Sequence, residues 1–135
     1  MPITVQAAVA DRPAVFISTA DLDRLIDLLP EVIEPTAPGA ALLAEEIARA
    51  QICAEDDMPA RVVRLGSTVR YRDLISGRQR QVQLVMPADA DMDMGRISIL
   101  SPIGAALIGM PEEQTIAWTE PSGDERRIEV LGLDD

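Results

Sequence analysis

Glu31 and Glu34 stand three residues apart in a segment bounded by Pro30 and Pro35. Two carboxylates at that spacing can converge on one divalent cation where the backbone is locally helical. The plainer alternative is a pair of solvated loop acids. Asp89, Asp91 and Asp93 alternate like the opening of a calcium loop, in which oxygens at the first, third and fifth positions surround a hard cation. The pattern then breaks, because Met94 replaces the glycine of the sharp turn and Leu100 replaces the closing glutamate. A solvated acidic loop is therefore expected over Ala88 to Gly95. Six of the twelve cationic residues, Arg61, Arg64, Arg70, Arg72, Arg78 and Arg80, fall within twenty residues. Arg70 and Arg72 share one side of an alternating segment and could meet an acidic protein surface with bidentate bonds, although a wet sheet face gives the same pattern.

Enzyme chemistry finds little support. The chain has no histidine, the side chain best suited to proton transfer near neutral pH. It also lacks a nucleophile elbow, a phosphate-binding glycine loop and a Cys/His metal set. Glu45-Glu46 and Glu112-Glu113 are adjacent acids, which point apart on a regular element. The single cysteine, Cys53, has no internal partner and reads as a small buried thiol near the end of an apolar helical pattern. No metal and no cofactor are expected.

Composition narrows the partner. Of the 135 residues, 47% are hydrophobic and only 2% aromatic, so the core must be aliphatic. No run approaches the roughly 20 apolar residues of a membrane span, and the amino terminus lacks the regions of a secretion signal. A cytoplasmic protein without membrane contact is the expectation. The net charge is −11; residues 1–60 carry 11 acids against 3 arginines and residues 61–135 carry 12 against 9. An acidic surface disfavours direct binding to nucleic acid, whose phosphates need neutralising, and favours a basic protein cavity.

The elements that would position these residues follow from period and punctuation. Residues 1–13 read as a flexible leader and Ala14 to Ile17 as a short extended segment. Ser18 stands three before Asp21, a helix-capping pattern, and Leu22, Leu25, Ile26 and Leu29 then share one face. Pro30, Pro35 and Pro38-Gly39 interrupt; the helical period resumes at Ala40 with Leu43, Ile47 and Ala50 on one stripe and stops before Pro59. Two helices of about 12 to 15 residues joined by a turn predict a short antiparallel hairpin over residues 14–58. From there the period becomes two. Strands are expected at Thr68–Asp73, Gln79–Val85, around Ile97, at Thr115–Thr119 and from Arg126 to Leu131. A Ser76-Gly77 turn and a short helix from Pro102 complete an α+β domain over residues 59–135.

Residues 97 to 109, Ile-Ser-Ile-Leu-Ser-Pro-Ile-Gly-Ala-Ala-Leu-Ile-Gly, say the most about identity. Ser101-Pro102-Ile103-Gly104-Ala105-Ala106-Leu107-Ile108-Gly109, then Ile116-Ala117-Trp118 and Pro121-Ser122-Gly123, resemble the regulator of nucleoside diphosphate kinase family, Rnk. Arg49-Ala50-Gln51-Ile52-Cys53, Met58-Pro59, Val62-Val63, Gly66-Ser67-Thr68-Val69 and Leu84-Val85-Met86-Pro87 are similar to it as well. The ordered matches extend over about Phe16 to Leu133.

That family is related to the transcript cleavage factors GreA and GreB. The resemblance implies a helical hairpin, as a short coiled coil, joined to an antiparallel β-sheet domain like the FK506-binding proteins, with RNA polymerase as partner. It further implies an influence on nucleoside diphosphate kinase. Glu31 and Glu34 would mark a tip entering the polymerase secondary channel without stimulating cleavage. Arg70 and Arg72 would be rim contacts, and Pro102, Gly104, Gly109 and Trp118 would stabilise the domain. Prolyl isomerase activity is not expected, since such a pocket is lined by aromatic residues and only Phe16, Tyr71 and Trp118 exist. The competing expectation is an adaptor whose exposed hairpin mediates self-association or meets another protein. In place of the family's usual Gly-Asp before the tryptophan strand stands Glu113-Gln114, and the chain stops at Asp134-Asp135 without the usual extension.

Overall fold

The computed structural model describes residues 12–28, 37–120 and 122–134. The amino-terminal segment begins as strand β1 (Phe16–Ser18) and turns directly into helix α1 (Thr19–Ile26). Ser18 makes that turn possible: its hydroxyl accepts from the Asp21 amide at 3.1 Å and satisfies one of the free donors of the first turn. Helix α2 (Ala40–Arg49), rich in alanine and leucine, leads into strand β2 (Gln51–Cys53). Strands β1 and β2 pair in parallel as a two-stranded sheet.

The larger sheet has five strands: β3 (Thr68–Asp73), β4 (Gln79–Val85), β5 (Arg96–Ser98), β6 (Thr115–Thr119) and β7 (Glu125–Leu133), in the order β5-β4-β3-β7-β6. Alternation sets the faces. Val69, Tyr71, Val82, Leu84, Ile97, Ile116, Trp118, Ile128 and Val130 are buried on one side, while Arg70, Gln79 and Gln81 are exposed on the other. A register shift between Arg70 and Tyr71 lets β3 keep this alternation against β7.

Helix α3 (Pro102–Leu107) covers the apolar face. Its start is fixed by Ser101, whose hydroxyl accepts from the Gly104 amide at 3.0 Å and donates to the Ser98 carbonyl at 2.7 Å. Gly104 permits the approach, since a Cβ there would collide with the Ser98 carbonyl oxygen. Gly109, at φ +75°, takes the chain out of the helix in a conformation that favours glycine.

Four expectations need correction. The sheet is not wholly antiparallel: β5 runs parallel to β4, because the chain returns to the sheet edge through the turns of residues 87–95 rather than through a tight hairpin. An extended segment was expected at Ala14 to Ile17, but not its parallel pairing with β2, since a strand of three residues leaves no room for a visible alternation. The helices have 8 and 10 residues rather than 12 to 15.

The fourth concerns the exposed hairpin. Val15, Ile17, Leu25, Leu28, Ala40, Leu42 and Leu43 belong to the same apolar cluster as the sheet and α3. Helix α2 packs against α3, and α1 lies against β1 and β2. The Phe16 amide donates to the Gly109 carbonyl at 3.0 Å and the Gly39 amide to the Leu100 carbonyl at 2.8 Å, stitching both helical segments to the body. Burying these leucines against the sheet domain contributes more than holding them out in water. The end of the expected leader is anchored too: Arg12 pairs with Glu45 at 2.8 Å and with the buried Glu46 at 3.3 Å, and the Pro13 carbonyl accepts from Arg49 at 2.5 Å.

Candidate docking face

Sheet alternation places charged residues where the core runs out. Arg80 has the parity of Val82 and Leu84, Arg126 that of Ile128, and Glu120 that of Trp118, so all three belong to the face that α3 covers. Beyond the last buried rung they line a cleft of about 380 Å³ between the sheet and the start of α3. Tyr71, Val82 and Ile97 form its floor, Pro102 and Ile103 one wall, and Met92 with Arg96 the other. The lining is mainly apolar and the rim is cationic.

Its electrostatics are partly compensated. Arg126 Nε lies 3.3 Å from Glu120 Oε1. Arg80 hydrogen-bonds to the Tyr71 phenol, whose pKa is pushed up by burial, with the guanidinium opposing that rise. The turn that presents Met92 is fixed by Asp91, whose carboxylate accepts from the Asp93 amide at 3.1 Å, and by Gly95 at φ +71°. Here Asp91 acts as a turn-former. Among the described residues no three Asp, Glu, Cys or His side chains are grouped to hold a metal ion.

The sequence-predicted residues separate. Arg70 and Arg72 lie on the outer face of β3, away from the cleft, and Arg70 is engaged with Asp134 at 3.0 Å. Pro102 lines the cleft, Gly104 and Gly109 shape the helix behind it, and Trp118 is buried. Trp118 Nε1 is buried without a hydrogen-bond partner. Glu31 and Glu34 lie outside the described residues. Sequence reasoning noted Arg80 only as one of six clustered arginines and passed over Arg126 and Glu120, although their parity with the apolar residues of β4, β6 and β7 was the available signal.

A second ionic cluster ties the amino-terminal segment to the body. Arg64 Nη2 reaches both oxygens of Glu55, at 2.5 and 2.7 Å, and the Ser18 hydroxyl at 3.1 Å. Asp21 accepts from the Leu65 amide at 3.1 Å. The bond to Arg64 holds the Glu55 carboxyl below the usual carboxylate range.

A curled sheet covered by a short helix places the chain in the fold class of the GreA/GreB transcription elongation factors. Residues 58–135 match the family described as "Transcription elongation factor, GreA/GreB, C-term". The solved "Prokaryotic transcription elongation factor GreA/GreB from Nitrosomonas europaea" superimposes with a TM-score of 0.67 at 35% identity, covering 90% of this chain and 99% of that one. The amino-terminal segment narrows the assignment, since residues 13–52 match the family described as "Rnk N-terminus". "Regulator of nucleoside diphosphate kinase" of Escherichia coli K12 is 36% identical over 123 residues, covering 91% of this chain and 90% of the relative. "Transcription elongation factor GreA" of Brucella anthropi is 37% identical over 91 residues, which cover 67% of this chain and 57% of that protein. The chain belongs to the regulator of nucleoside diphosphate kinase family, Rnk, related to GreA and GreB.

Proposed function

We propose that this chain is a non-catalytic, cytoplasmic transcription regulator that docks on RNA polymerase beside the secondary channel and competes there with GreA/GreB-type factors. The observation that carries the reading is the cation-rimmed apolar cleft within the segment that matches the elongation factors. An apolar floor with arginines at its edge suits a protein surface that offers an apolar side chain beside carboxylates, and the rim charges orient the approach. The domain is FKBP-like in this reading, but its cleft offers a single aromatic, Tyr71, and serves docking rather than isomerisation. Glu31 and Glu34, in the segment between the docked helices α1 and α2, are the proposed contact with the channel interior, with Arg70 and Arg72 as outer rim contacts. The influence on nucleoside diphosphate kinase comes with the same family.

The adaptor reading is less well supported, because α1 and α2 spend most of their apolar surface on the core of the same chain. A pull-down on purified core polymerase, with and without a large excess of GreA, separates the two. Binding that GreA displaces is expected; absence of binding, or binding indifferent to GreA, refutes channel docking. The Glu31→Ala/Glu34→Ala variant tests the tip separately. Undiminished competition by it would make the two acids bystanders while leaving the cleft reading intact.

A further inference from the structure

The turn joining β3 to β4 exposes two large apolar residues in succession, Leu74 at 40% and Ile75 at 63%. It is also rigidly built. Asp73 Oδ1 accepts from the Ile75 amide at 2.8 Å and from the Ser76 amide at 3.1 Å. The Gly77 amide closes onto the Asp73 carbonyl at 2.7 Å, and the Leu74 amide is held by the Arg127 carbonyl of β7 at 2.9 Å. Those amide bonds hold the Asp73 carboxyl below its ordinary range. A flexible loop would be able to fold its leucine and isoleucine back onto the sheet; this one is held in the presenting conformation.

Charge sets the tip apart as well. Among the described residues, the arginines with no carboxylate within 4.0 Å are Arg24, Arg72, Arg78, Arg80 and Arg96. Three of these five, Arg72, Arg78 and Arg80, belong to the β3–β4 hairpin. In a chain of net charge −11, three of the five arginines without an ion pair thus lie on the hairpin that carries the exposed apolar pair. Such a grouping gives this end its own preference for an acidic surface.

We propose that the Leu74-Ile75 tip is a second anchor, distinct from the cleft, which inserts into an apolar notch flanked by carboxylates on the polymerase surface while Arg72 and Arg78 pair with those carboxylates. It deepens the polymerase reading and rests on it. Because the tip is already ordered, docking loses little conformational freedom at this contact.

The experiment measures the affinity of the full chain for purified core polymerase at several salt concentrations. It compares the parent, Ile75→Ser, and Arg72→Gln/Arg78→Gln, each first shown to keep the parent's unfolding temperature. Loss of the isoleucine contact should weaken binding about tenfold. The double arginine variant should bind more weakly at low salt and respond less to added salt. If the parent binds and both variants match it, the tip proposal fails and the cleft reading stands. If the parent does not bind, both fall. Should the parent instead bind anionic vesicles or nucleic acid through Ile75, while the polymerase affinity is untouched by the substitution, the assignment to a protein notch is overturned.

Discussion

Replacing Gly104 by alanine tests the contact on which the fold and the cleft both depend. At an open helical position the change would stabilise the protein by about 1 kcal/mol, since glycine is the poorer helix former. Gly104 is not open: a Cβ would overlap the Ser98 carbonyl oxygen and lie 3.0 Å from the Ser101 hydroxyl. Ser98 belongs to β5 and its carbonyl already accepts from Ser101, so neither atom can yield without α3 lifting from the sheet. Overpacking of this kind costs about 1–3 kcal/mol, and disturbing the serine cap adds about 1 kcal/mol. Set against the propensity gain, the net loss is about 1–3 kcal/mol, or about 4–10 °C in unfolding temperature for a domain of this size. Thermal unfolding followed by circular dichroism measures it. Gly66→Ala is the control, because Gly66 has φ +95° and open space around it, leaving only backbone strain of about 1 kcal/mol. A Gly104→Ala protein that melts at or above the parent would refute the claim that α3 is seated on β5 through this glycine.

Glu113 holds φ +67°, a left-handed conformation that costs a side chain about 1 kcal/mol, so Glu113→Gly should raise the urea midpoint modestly. Arg61 shares the conformation, at φ +63°, yet Arg61→Gly should lower the midpoint because it also removes the bidentate pair with Glu112. Trp118→Phe should cost less than about 1.5 kcal/mol in a urea titration, as the lost ring area is offset by removing an indole N–H buried without an acceptor. The Arg61 guanidinium, followed by the Leu133 amide, holds the Glu112 carboxyl below its ordinary range. A depressed carboxylate stabilises the fold above its unfolded pKa, about pH 4.3, and that contribution fades as pH falls through the lower folded value. Between pH 6 and pH 3, roughly the window of carboxylate titration, Glu112→Gln should therefore lose stability less steeply than the parent.

The five strands of the main sheet and its covering helix were legible because each carries its own local signal. Alternation over Thr68–Asp73 and Gln79–Val85 is unambiguous, and the Ser-Pro pair announces α3. What the sequence concealed was relation rather than element. The direction of β5 depends on how residues 87–95 turn, and three residues of strand do not encode it. Glycine gave the most misleading sign. Gly39, after Pro38, reads as a simple turn between helices, yet it is where the chain presses on the carbonyls of Leu100 and Ser101, so close that a Cβ would not fit. Local punctuation and long-range contact use the same residue, and only the second reveals that the helices are docked.

The same distinction governs the cleft. Arg70 and Arg72 stand out in the sequence because they alternate cleanly on a polar strand face, and that regularity is what an ordinary solvated sheet produces. Arg80, Arg126 and Glu120 are less conspicuous, since each ends a run of apolar residues and looks like a strand boundary. Yet a charged side chain on core parity cannot be seated beneath the covering helix, so several such residues meet where that helix stops, and there Arg80 and Arg126 are exposed. Helix α3 is only six residues long and leaves that end of the sheet bare. The cleft is thus a consequence of a short helix on a longer sheet, and its charged lining comes from the residues that break the apolar pattern at the open end of the core.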